Sequence, residues 1–459
     1  MTPSRRAAAT AARRVSGASA REIAALVLAR VDQGAAFSNV LLRAALARAA
    51  LSEADAALAT ELVLGVLRRR ARLDWTLAGV LRHPLDTLPP RLRAVLRCGA
   101  YQLLFLPRIP AHAAVDEAVT LARRHGHRGT AALTNAVLRR IAAVGERPLP
   151  SGPVDEQLAV EESHPRWLVQ RWLRRFGEAE TVALCRANNA PAPAYGRVNT
   201  LAVTTEAARE RLAAAGLQVS ATELPEGIEL AGPYRARRAA VDAGWLTMQD
   251  LGAMLVTHAL DPQAGETIID AAAAPGGKTT HIAERMRDRG RVIACDIHPG
   301  KLARLAARAA AMGLASIEAH HQDARALGEA FRHQADRLLL DAPCSGLGVL
   351  RRRPDIKWRL REEDLPALAH LQRELLWGAA EAVRPGGVLV YSVCTTEEEE
   401  GPRIVEAFLR EHPGFTLEAM PLPGRFAEAQ RTPGLAVLWP HRHGTDGFVI
   451  ARFRRRDGA

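Results

Sequence analysis

The sequence predicts a multidomain protein with an all-α N-terminal domain, a small α+β domain and a doubly wound α/β domain at the C-terminal end. Its 459 residues exceed the roughly 100–200 residues of one domain. The first third shows apolar residues at helical spacing, whereas the last part alternates short apolar runs with helical stretches. We expect the three domains to span residues 1–145, 146–240 and 241–459.

Residues 20–145 show the pattern of successive helices. Ile23, Leu26 and Val27 begin an apolar stripe of period 3.6, and Ser52 precedes an acidic first turn, which favours a helix start. Pro107 and Pro110 interrupt the pattern, and two further helical segments each end at a glycine. Because no strand pattern occurs here, this domain is predicted to be all-α.

The middle segment mixes helices and strands. A Pro- and Gly-rich linker begins at Arg147, and the stretches HPRWLVQRWLRRFG and EAETVALCRANNA that follow have a helical pattern. The stretch YGRVNTLAV and the segments near Gln218 and Glu229 are typical of strands, and the helical stretch EAARERLAAAG lies between two of them. This mixture predicts a small α+β domain.

From Ala264 onward, continuous apolar runs alternate with helical stretches. The runs are TIIDAAA, RVIACDI, ADRLLLDAP and GGVLVYSVC. Apolar strands separated by helices predict a parallel sheet covered on both faces, as in Rossmann-like domains. Such a sheet binds its ligand beyond the carboxyl ends of the strands, where the polar residues of these runs lie.

The composition excludes several classes of protein. Hydrophobic residues make up 48% and charged residues 24%, which is ordinary for a globular chain, and no apolar run approaches the roughly 20 residues of a membrane span. The basic N-terminal stretch lacks the apolar core of a secretory signal. The five cysteines show no CxxC spacing, so we expect a reducing, cytoplasmic location and no disulfide framework.

The positive charge is concentrated in the first third of the chain. Lys and Arg number 62 against 50 Asp and Glu, a formal net charge of +12. Residues 1–145 hold 22 basic and 9 acidic side chains, a balance of +13, whereas the rest of the chain is nearly neutral. Either a nucleic-acid partner or a composition biased toward Arg explains this excess.

The stretch AAAAPGGKTT has the features of a cofactor loop. It follows Asp270 at the end of the first apolar run, and Gly276 and Gly277 permit close approach of the backbone to a ligand. Asp296 and Asp323 follow the next two strands, where an acidic residue can bind the ribose hydroxyls of a nucleoside cofactor. Because neither a GxGxxG nor a P-loop pattern occurs here, a dinucleotide and a nucleoside triphosphate are disfavoured.

Two cysteines lie just past neighbouring predicted strand ends, Cys344 close to Asp341 and Cys394 in YSVCTT. Metal binding would need further soft ligands, and none lies nearby in the sequence, so nucleophilic catalysis is the better interpretation. The spacing does not decide which cysteine attacks. The remaining cysteines are predicted to be buried apolar residues: Cys98, Cys185 and Cys295.

Eight motifs form one set along the chain: GRVNT, MQDLGA, DAAAAPGGKTT, CDI, QDAR, DAPCSGLGVLRRRPDIKW, YSVCT and DGF. This set resembles the Sun/Nop2-type RNA cytosine-5 methyltransferases, and the helical N-terminal domain resembles the NusB-type RNA-binding fold. The resemblance implies S-adenosyl-L-methionine as cofactor and methylation of C5 of one cytosine in 16S ribosomal RNA.

The resemblance also implies roles for individual residues. Cys394 is expected to be the nucleophile and Cys344 to assist product release, with Lys278 and Asp341 completing the catalytic group. The residues expected at the cofactor are Ala272, Ala273, Ala274, Pro275, Gly276, Gly277, Lys278, Asp296, Asp323 and Asp341. Those expected at the RNA are Arg197, Asn199, Arg351, Arg352, Arg353 and Lys357, and no metal site is expected.

The chain departs from the family pattern at two places. Ala271–Ala274 replace a stretch that often contains a cysteine, and TTEEEEGP replaces a common Glu-x-Asn, which leaves the acidic residue supporting that loop undefined. Glu397–Glu400 are expected to form a solvated helix N-terminus, where the helix dipole favours acidic side chains. Trp358 could stack on a base, but a core position is the favoured interpretation for a Trp at a helix start.

Other functions share parts of this pattern. A non-catalytic RNA-binding or antitermination factor would need only the N-terminal domain, but the two cysteines and the complete cofactor loop disfavour it. A DNA cytosine methyltransferase is disfavoured by GRVNT and the helical domain. A transfer RNA methyltransferase differs only by that helical domain. We expect a monomer that binds 16S ribosomal RNA and no membrane.

Overall fold

The computed structural model describes residues 18–458 and contains two compact units. The N-terminal unit comprises the described residues up to Ala190 together with Leu350–Leu360, and the C-terminal unit comprises the rest. The expectation about a secretory signal concerns the first residues, which lie outside the described part. Among the described residues, no helix combines the length and the hydropathy that crossing a bilayer requires.

The N-terminal unit is helical, as the apolar periodicity predicts. Its helices are α1 (Ala20–Asp32), α2 (Ser38–Arg48), α3 (Glu53–Arg68), α4 (Arg70–Ala78), α5 (Pro90–Phe105), α6 (Ala111–His125), α7 (Arg128–Val144), α8 (Val154–Glu161), α9 (Arg166–Phe176) and α10 (Glu178–Asn189). Ser19 and Ser52 cap α1 and α3, because each hydroxyl accepts a hydrogen bond from a backbone N–H of the first turn.

The core of this unit combines apolar packing with one buried ion-pair network. Leu62 of α3 and Leu96 of α5 are fully buried in it. Arg97 donates to Asp32 at 2.6 Å and to Asp74 at 2.7 Å, so a single guanidinium joins the end of α1 to α4 and α5. A buried cation is tolerated when carboxylates satisfy it in this way.

A small antiparallel sheet opens the C-terminal unit. Its elements are β1 (Tyr195–Val198), α11 (Thr205–Ala214), β2 (Gln218–Ala221), β3 (Gly227–Ala231), α12 (Tyr234–Asp242) and β4 (Leu246–Met248), with strand order β2-β3-β1-β4. Val198, Ile228 and Leu246 form the centre of its core. The predicted strand YGRVNTLAV is therefore shorter than expected and ends at Val198.

The larger part of this unit is the predicted α/β domain. Its elements are α13 (Leu251–Leu260), β5 (Thr267–Asp270), α14 (Gly277–Arg285), β6 (Arg291–Asp296), α15 (Pro299–Ala311), β7 (Ile317–His321), β8 (Ala335–Asp341), α16 (Asp364–Ala380), β9 (Val383–Val393), α17 (Pro402–Glu411), β10 (Phe415–Leu417), β11 (Gln430–Thr432), β12 (Leu435–Leu438) and β13 (Phe448–Arg455). Short helices cover Leu327–Ala330 and Pro440–His443, whereas the short helix Ile356–Arg359 belongs to the N-terminal unit.

The central sheet has the order β11-β12-β13-β9-β8-β5-β6-β7, with β10 pairing β13. Strands β9, β8, β5, β6 and β7 are parallel, as predicted, but β10 to β13 add antiparallel partners, so the sheet is mixed. In β13, Arg452 and Arg454 pair with Glu418. A strand with such charged positions does not show the continuous apolar run of a buried parallel strand.

The parallel strands bring the predicted polar residues to one edge. Strand β5 ends at Asp270, β6 at Asp296 and β8 at Asp341, and Cys394 directly follows β9. Because β5 pairs with both β6 and β8, and β8 pairs with β9, these positions lie along adjacent carboxyl ends.

Candidate active site

The loop after β5 forms a pocket at this edge. Gly276 has a φ of +100°, and an added Cβ would lie 2.7 Å from Leu305 Cγ, so the position requires glycine. At Gly277, an added Cβ would meet no atom within 4 Å, because this residue faces open space. The pocket has a volume of about 180 Å³ and is lined by Gln249, Ala253, Asp270, Ala272, Ala273, Ala274, Pro275, Gly277, Lys278 and Asp341.

Asp270 contributes a buried carboxylate to the pocket. Its Oδ2 accepts a hydrogen bond from Thr279 Oγ1 at 2.7 Å, whereas Oδ1 has no hydrogen-bond partner among the described residues. Burial raises the pKa of Asp270 to about 7. A buried, unpartnered oxygen in a pocket reached through glycine fits a nucleoside cofactor that carries hydrogen-bond donors, as S-adenosylmethionine does.

Asp296 and Asp323 lie after neighbouring strands, as predicted. Asp296 Oδ2 accepts from the backbone N–H of Ala274 at 3.3 Å, which ties the pocket loop to β6. Hydrogen bonds from Arg325 lower the pKa of Asp323, so its carboxylate stays ionised. Sequence reasoning missed Ile297, which directly follows Asp296 and is 55% exposed. An exposed apolar side chain at this edge can pack against a planar base.

Lys278, Asp341 and Ser392 form a polar chain beside the pocket. Lys278 Nζ donates to Asp341 Oδ2 at 2.6 Å, and Ser392 Oγ donates to Asp341 Oδ1 at 2.7 Å. Burial alone would lower the pKa of Lys278, but the adjacent carboxylate outweighs it and the pKa is raised. The site therefore holds a permanent ammonium group at the carboxyl end of β8.

The two predicted cysteines face each other across neighbouring strand ends. Cys344 Sγ and Cys394 Sγ lie 3.3 Å apart, and both side chains are partly exposed. The hydrogen bond to Cys394, together with burial, raises the pKa of Cys344 well above its usual value. Cys344 therefore retains its proton.

The acidic run after Cys394 differs from the sequence expectation. Glu397 and Glu400 are fully buried, and α17 begins only at Pro402, so the prediction of a solvated helix N-terminus is wrong for these two residues. Glu400 accepts hydrogen bonds from Ser345, one residue beyond Cys344. The physical reason at Glu400 is that the buried N–H and hydroxyl of Ser345 need an acceptor.

Arg197 and Asn199, predicted to contact RNA, are buried. Arg197 is 0% exposed and pairs with Glu284 of α14 at 2.9 Å, while it also donates to the carbonyl oxygen of Gly277 at 2.7 Å. Asn199 is 1% exposed, and its Oδ1 accepts from the backbone N–H of Leu201. We therefore withdraw both residues as RNA contacts, and Arg197 instead supports the helix that follows the cofactor loop.

The basic segment after the Cys344 loop is also largely buried, inside the N-terminal unit. Lys357 is 1% exposed and donates to Asn189 Oδ1 at 3.0 Å and to the carbonyl oxygen of Arg68 at 3.3 Å. Asp355 accepts from both the backbone N–H and the hydroxyl of Ser38. A side chain enclosed in this way cannot contact a phosphate, so we withdraw Lys357 as an RNA contact.

The arginines of this segment are placed differently from one another. Arg351 is 5% exposed, which contradicts its predicted contact with RNA, whereas Arg352 and Arg353 are partly exposed. The Arg353 guanidinium lies 4.3 Å from the centre of the Phe37 ring. Trp358 donates to the carbonyl oxygen of Leu67 and packs on the helical core, as predicted.

Sequence reasoning missed a buried histidine cluster in the C-terminal unit. His258 Nε2 and His281 Nε2 lie 2.6 and 2.9 Å from the same oxygen of Glu226. Burial lowers the pKa of His281 to about 3, so its imidazole is neutral and donates to the carboxylate. These distances are those of hydrogen bonds. Cys98, Cys185 and Cys295 are buried, as predicted.

Fold and site together define a class of protein. A pocket formed by a glycine-containing loop at the carboxyl edge of a Rossmann-like sheet, with two facing thiols and a Lys–Asp pair, has the features of an S-adenosylmethionine-dependent methyltransferase. Three family models match the chain: NusB family at residues 18–143, the Methyltr_RsmF/B-like ferredoxin-like domain at 164–237, and 16S rRNA methyltransferase RsmB/F at 257–454.

Similar proteins span almost the whole chain. The probable ribosomal RNA small subunit methyltransferase B of Bacillus subtilis is 38% identical over 448 residues, covering 95% of this chain and 99% of its own. The ribosomal RNA small subunit methyltransferase B of Pseudomonas putida is 36% identical over 439 residues, covering 94% and 97%.

Solved structures agree with this similarity. The structure of PH0851 matches with a TM-score of 0.82 and 29% identity, covering 96% of this chain and 99% of its own. NSun6 from Pyrococcus horikoshii with SFG, an analogue of S-adenosylmethionine, matches with a TM-score of 0.57 and 26% identity, covering 64% and 99%.

The chain belongs to the 16S rRNA methyltransferase RsmB/F family and is an S-adenosylmethionine-dependent rRNA methyltransferase. The predicted family, cofactor and fold class are thereby confirmed.

Proposed function

We propose that this chain methylates C5 of one cytosine in 16S ribosomal RNA through a covalent bond between Cys394 and C6 of that cytosine. The observation that carries the proposal is the 3.3 Å approach of Cys344 and Cys394 beside the Lys278–Asp341 pair. Two relatives named as small subunit methyltransferases, similar over more than nine-tenths of the chain, support the choice of RNA.

The cofactor site is assigned to the pocket loop and the strand-end carboxylates. The residues that would hold the cofactor are Ala272, Ala273, Ala274, Pro275, Gly276, Gly277, Lys278, Asp296, Asp323 and Asp341. When bound, S-adenosylmethionine supplies an electrophilic methyl group for C5. Of the three carboxylates among them, we assign Asp296 at the end of β6 to the ribose hydroxyls.

The chain's own residues supply the activation that C5 needs. Cys394, as a thiolate, adds to C6 and makes C5 nucleophilic, and the ammonium of Lys278 favours the thiolate electrostatically. Asp341 shares a proton with Lys278 Nζ at 2.6 Å, and with that proton its carboxyl would donate to N3 as negative charge develops there. Cys344 Sγ lies 3.3 Å from Cys394 Sγ, so we assign its thiol to release. In that step a base removes the C5 proton, the C5–C6 double bond forms again as the bond from Cys394 to C6 breaks, and the Cys344 thiol stabilises the departing thiolate by donating a hydrogen bond.

The N-terminal domain is assigned to RNA binding. Its balance of +13 would supply contacts with phosphates, whose strength falls steeply as the salt concentration rises. With this assignment, residues 1–145 bind RNA, 146–240 form a linker and the small α+β domain, and 241–459 perform the chemistry. We propose that the chain performs the whole reaction as a monomer in the cytoplasm.

The direct test is bisulfite sequencing of ribosomal RNA from cells with and without the gene. We expect one protected cytosine in 16S ribosomal RNA to lose its protection without the gene and to regain it when the wild-type chain, but not Cys394→Ala, is restored. Loss of protection in a transfer RNA instead would support the alternative substrate, and unchanged protection everywhere would refute the proposal.

A further inference from the structure

The two cysteine loops differ in how they are held. Cys394 directly follows β9, a strand hydrogen-bonded to β8 on one side and β13 on the other. Cys344 lies three residues beyond the end of β8, in a loop that has left the sheet. The position of the Cys344 thiol therefore depends on contacts other than the sheet ladder.

Glu400 makes the polar contacts next to Cys344. Its Oε1 accepts from the backbone N–H of Ser345 at 2.8 Å, and its Oε2 accepts from Ser345 Oγ at 2.5 Å. Gly348 N also donates to the carbonyl oxygen of Cys394 at 3.0 Å, but this bond lies four residues further along the loop. Glu400 thus accepts from both hydrogen-bond donors of Ser345, the residue that follows Cys344.

Glu400 is itself fixed on two sides. Gln372 Nε2 donates to Glu400 Oε1 at 2.9 Å and to the carbonyl oxygen of Pro343 at 3.0 Å, so it holds the residue before Cys344 as well. Tyr391 OH donates to the backbone carbonyl oxygen of Glu400 at 2.6 Å. Because Tyr391 binds the main chain, the backbone at Glu400 would stay anchored if its side chain were shortened.

The burial of this carboxylate calls for a specific explanation. Glu400 is 0% exposed, and the side-chain hydrogen bonds that it accepts within the described part of the chain come from neutral donors of Ser345 and Gln372. A buried carboxylate without a cation is costly, and neutral donors offset that cost only when they are well placed. An apolar side chain would fill the same space without the free-energy cost of burying a carboxylate.

We propose that Glu400 is a positioning residue that holds the Cys344 loop so that the Cys344 thiol lies against Cys394. The inference rests on the proposed function, because it assigns Glu400 to the release step that Cys344 performs. Attack by Cys394 depends on the sheet and is retained without Glu400, whereas release depends on Cys344 and is impaired.

The experiment compares variants of the full-length chain with 16S ribosomal RNA and S-adenosylmethionine on a denaturing gel. We expect Glu400→Ala to accumulate a covalent protein–RNA adduct about tenfold above the wild type, the scale set by a buried donor that loses its acceptor. kcat should fall by a similar factor, and KM for RNA should not rise. Glu400→Gln keeps one acceptor for Ser345 N and should restore most of the turnover.

Two controls separate a positioning role from a structural one. Glu398→Ala, in the same loop but partly exposed and paired with Arg403 at 3.4 Å, should match the wild type. If Glu400→Ala fails to fold, Ser345→Ala removes the hydroxyl and keeps the backbone N–H, and it should give an intermediate amount of adduct. Loss of methylation without any adduct in the folded variants would overturn the proposal, and so would a Glu400→Gln variant as impaired as Glu400→Ala.

Cys344→Ala on the same gel distinguishes the two levels of inference. If Cys344→Ala traps RNA and Glu400→Ala does not, only the role of Glu400 fails. If Cys344→Ala traps no RNA, the assignment of Cys344 to release fails and the role of Glu400 fails with it. The adduct in every variant should disappear when Cys394→Ala is added.

Discussion

Lys278 in the C-terminal unit and Lys357 in the N-terminal unit occupy opposite kinds of buried environment. Lys278 lies against the Asp341 carboxylate, and its pKa is raised although burial acts to lower it. Among the described residues, Lys357 donates to an amide oxygen and a carbonyl oxygen, and burial lowers its pKa to about 7. The same side chain is thus a fixed charge in the first setting and a titrating amine in the second.

This difference separates a functional lysine from a structural one. An ammonium group that stays protonated at the edge of a pocket can stabilise a thiolate and a developing negative charge on a substrate. An enclosed amine without a carboxylate holds two chain segments together by hydrogen bonds alone. The comparison therefore predicts that the same substitution at the two lysines changes different measurable quantities.

The largest expected effect is on catalysis at Lys278. Lys278→Met should lower kcat by at least about 100-fold, because Cys394 loses the nearby ammonium and Asp341 loses its partner. The measurement is the initial rate of methyl transfer to 16S ribosomal RNA. Lys357→Met is the matched control and should keep the rate per folded molecule within a few-fold. Equal losses in the two variants would remove the distinction between the lysines.

The next effect concerns the stability of the N-terminal unit and its dependence on pH. In the folded chain Lys357 titrates near 7, whereas in the unfolded chain its pKa is about 10.4, so the unfolded state binds more protons between these values. The wild type should therefore gain stability relative to Lys357→Met as the pH rises above 7, by roughly 1 kcal/mol for each pH unit.

Urea unfolding of both proteins at pH 7 and pH 9 measures this difference. At pH 7 and below, where the wild type still carries most of the cost of a buried ammonium, Lys357→Met should be at least as stable as the wild type. Parallel pH dependence in the two proteins would show that Lys357 is solvated and would restore it as a candidate RNA contact.

Sequence reasoning worked best for residues whose position in the fold follows from the direction of their strand. Asp270, Asp296 and Asp341 each end a parallel strand, so their common edge follows from the strand pattern, and Cys394 follows from the same rule. The fold class is predictable for the same reason, because periodicity is a local property. The antiparallel strands near the C-terminus were not predicted, because their charged positions mask the apolar pattern.

The failures concern charged side chains whose partners are distant in sequence. Arg197 is neutralised by a residue 87 positions away, and Lys357 bonds to groups 168 and 289 positions away. Glu400 reaches back 55 positions to Ser345. A sequence shows that a side chain is charged but not whether a partner exists to bury it, and solvated surface is the usual outcome for such residues.

The smallest expected effect is at Asp355, and it tests whether the segment around Lys357 is a structural anchor. Asp355 is fully buried and accepts from Ser38 N at 3.0 Å and from Ser38 Oγ at 2.6 Å. In Asp355→Asn, the amide oxygen can still accept from the backbone N–H, and the serine hydroxyl can turn to accept from the new NH₂ group. The charge-assisted part of the two bonds is lost, so the free energy of unfolding should fall by about 1 kcal/mol.

The exposed Asp116 of α6 provides the matched control, because Asp116→Asn makes the same chemical change on the surface and should leave stability unchanged. KM for RNA should stay at the wild-type value in Asp355→Asn, since an enclosed carboxylate touches no substrate. A rise in KM for Asp355→Asn without a loss of stability would mean that the segment faces RNA. Both lysines would then be functional, and the hydrogen bonds of Lys357 to Asn189 and Arg68 could not be purely structural.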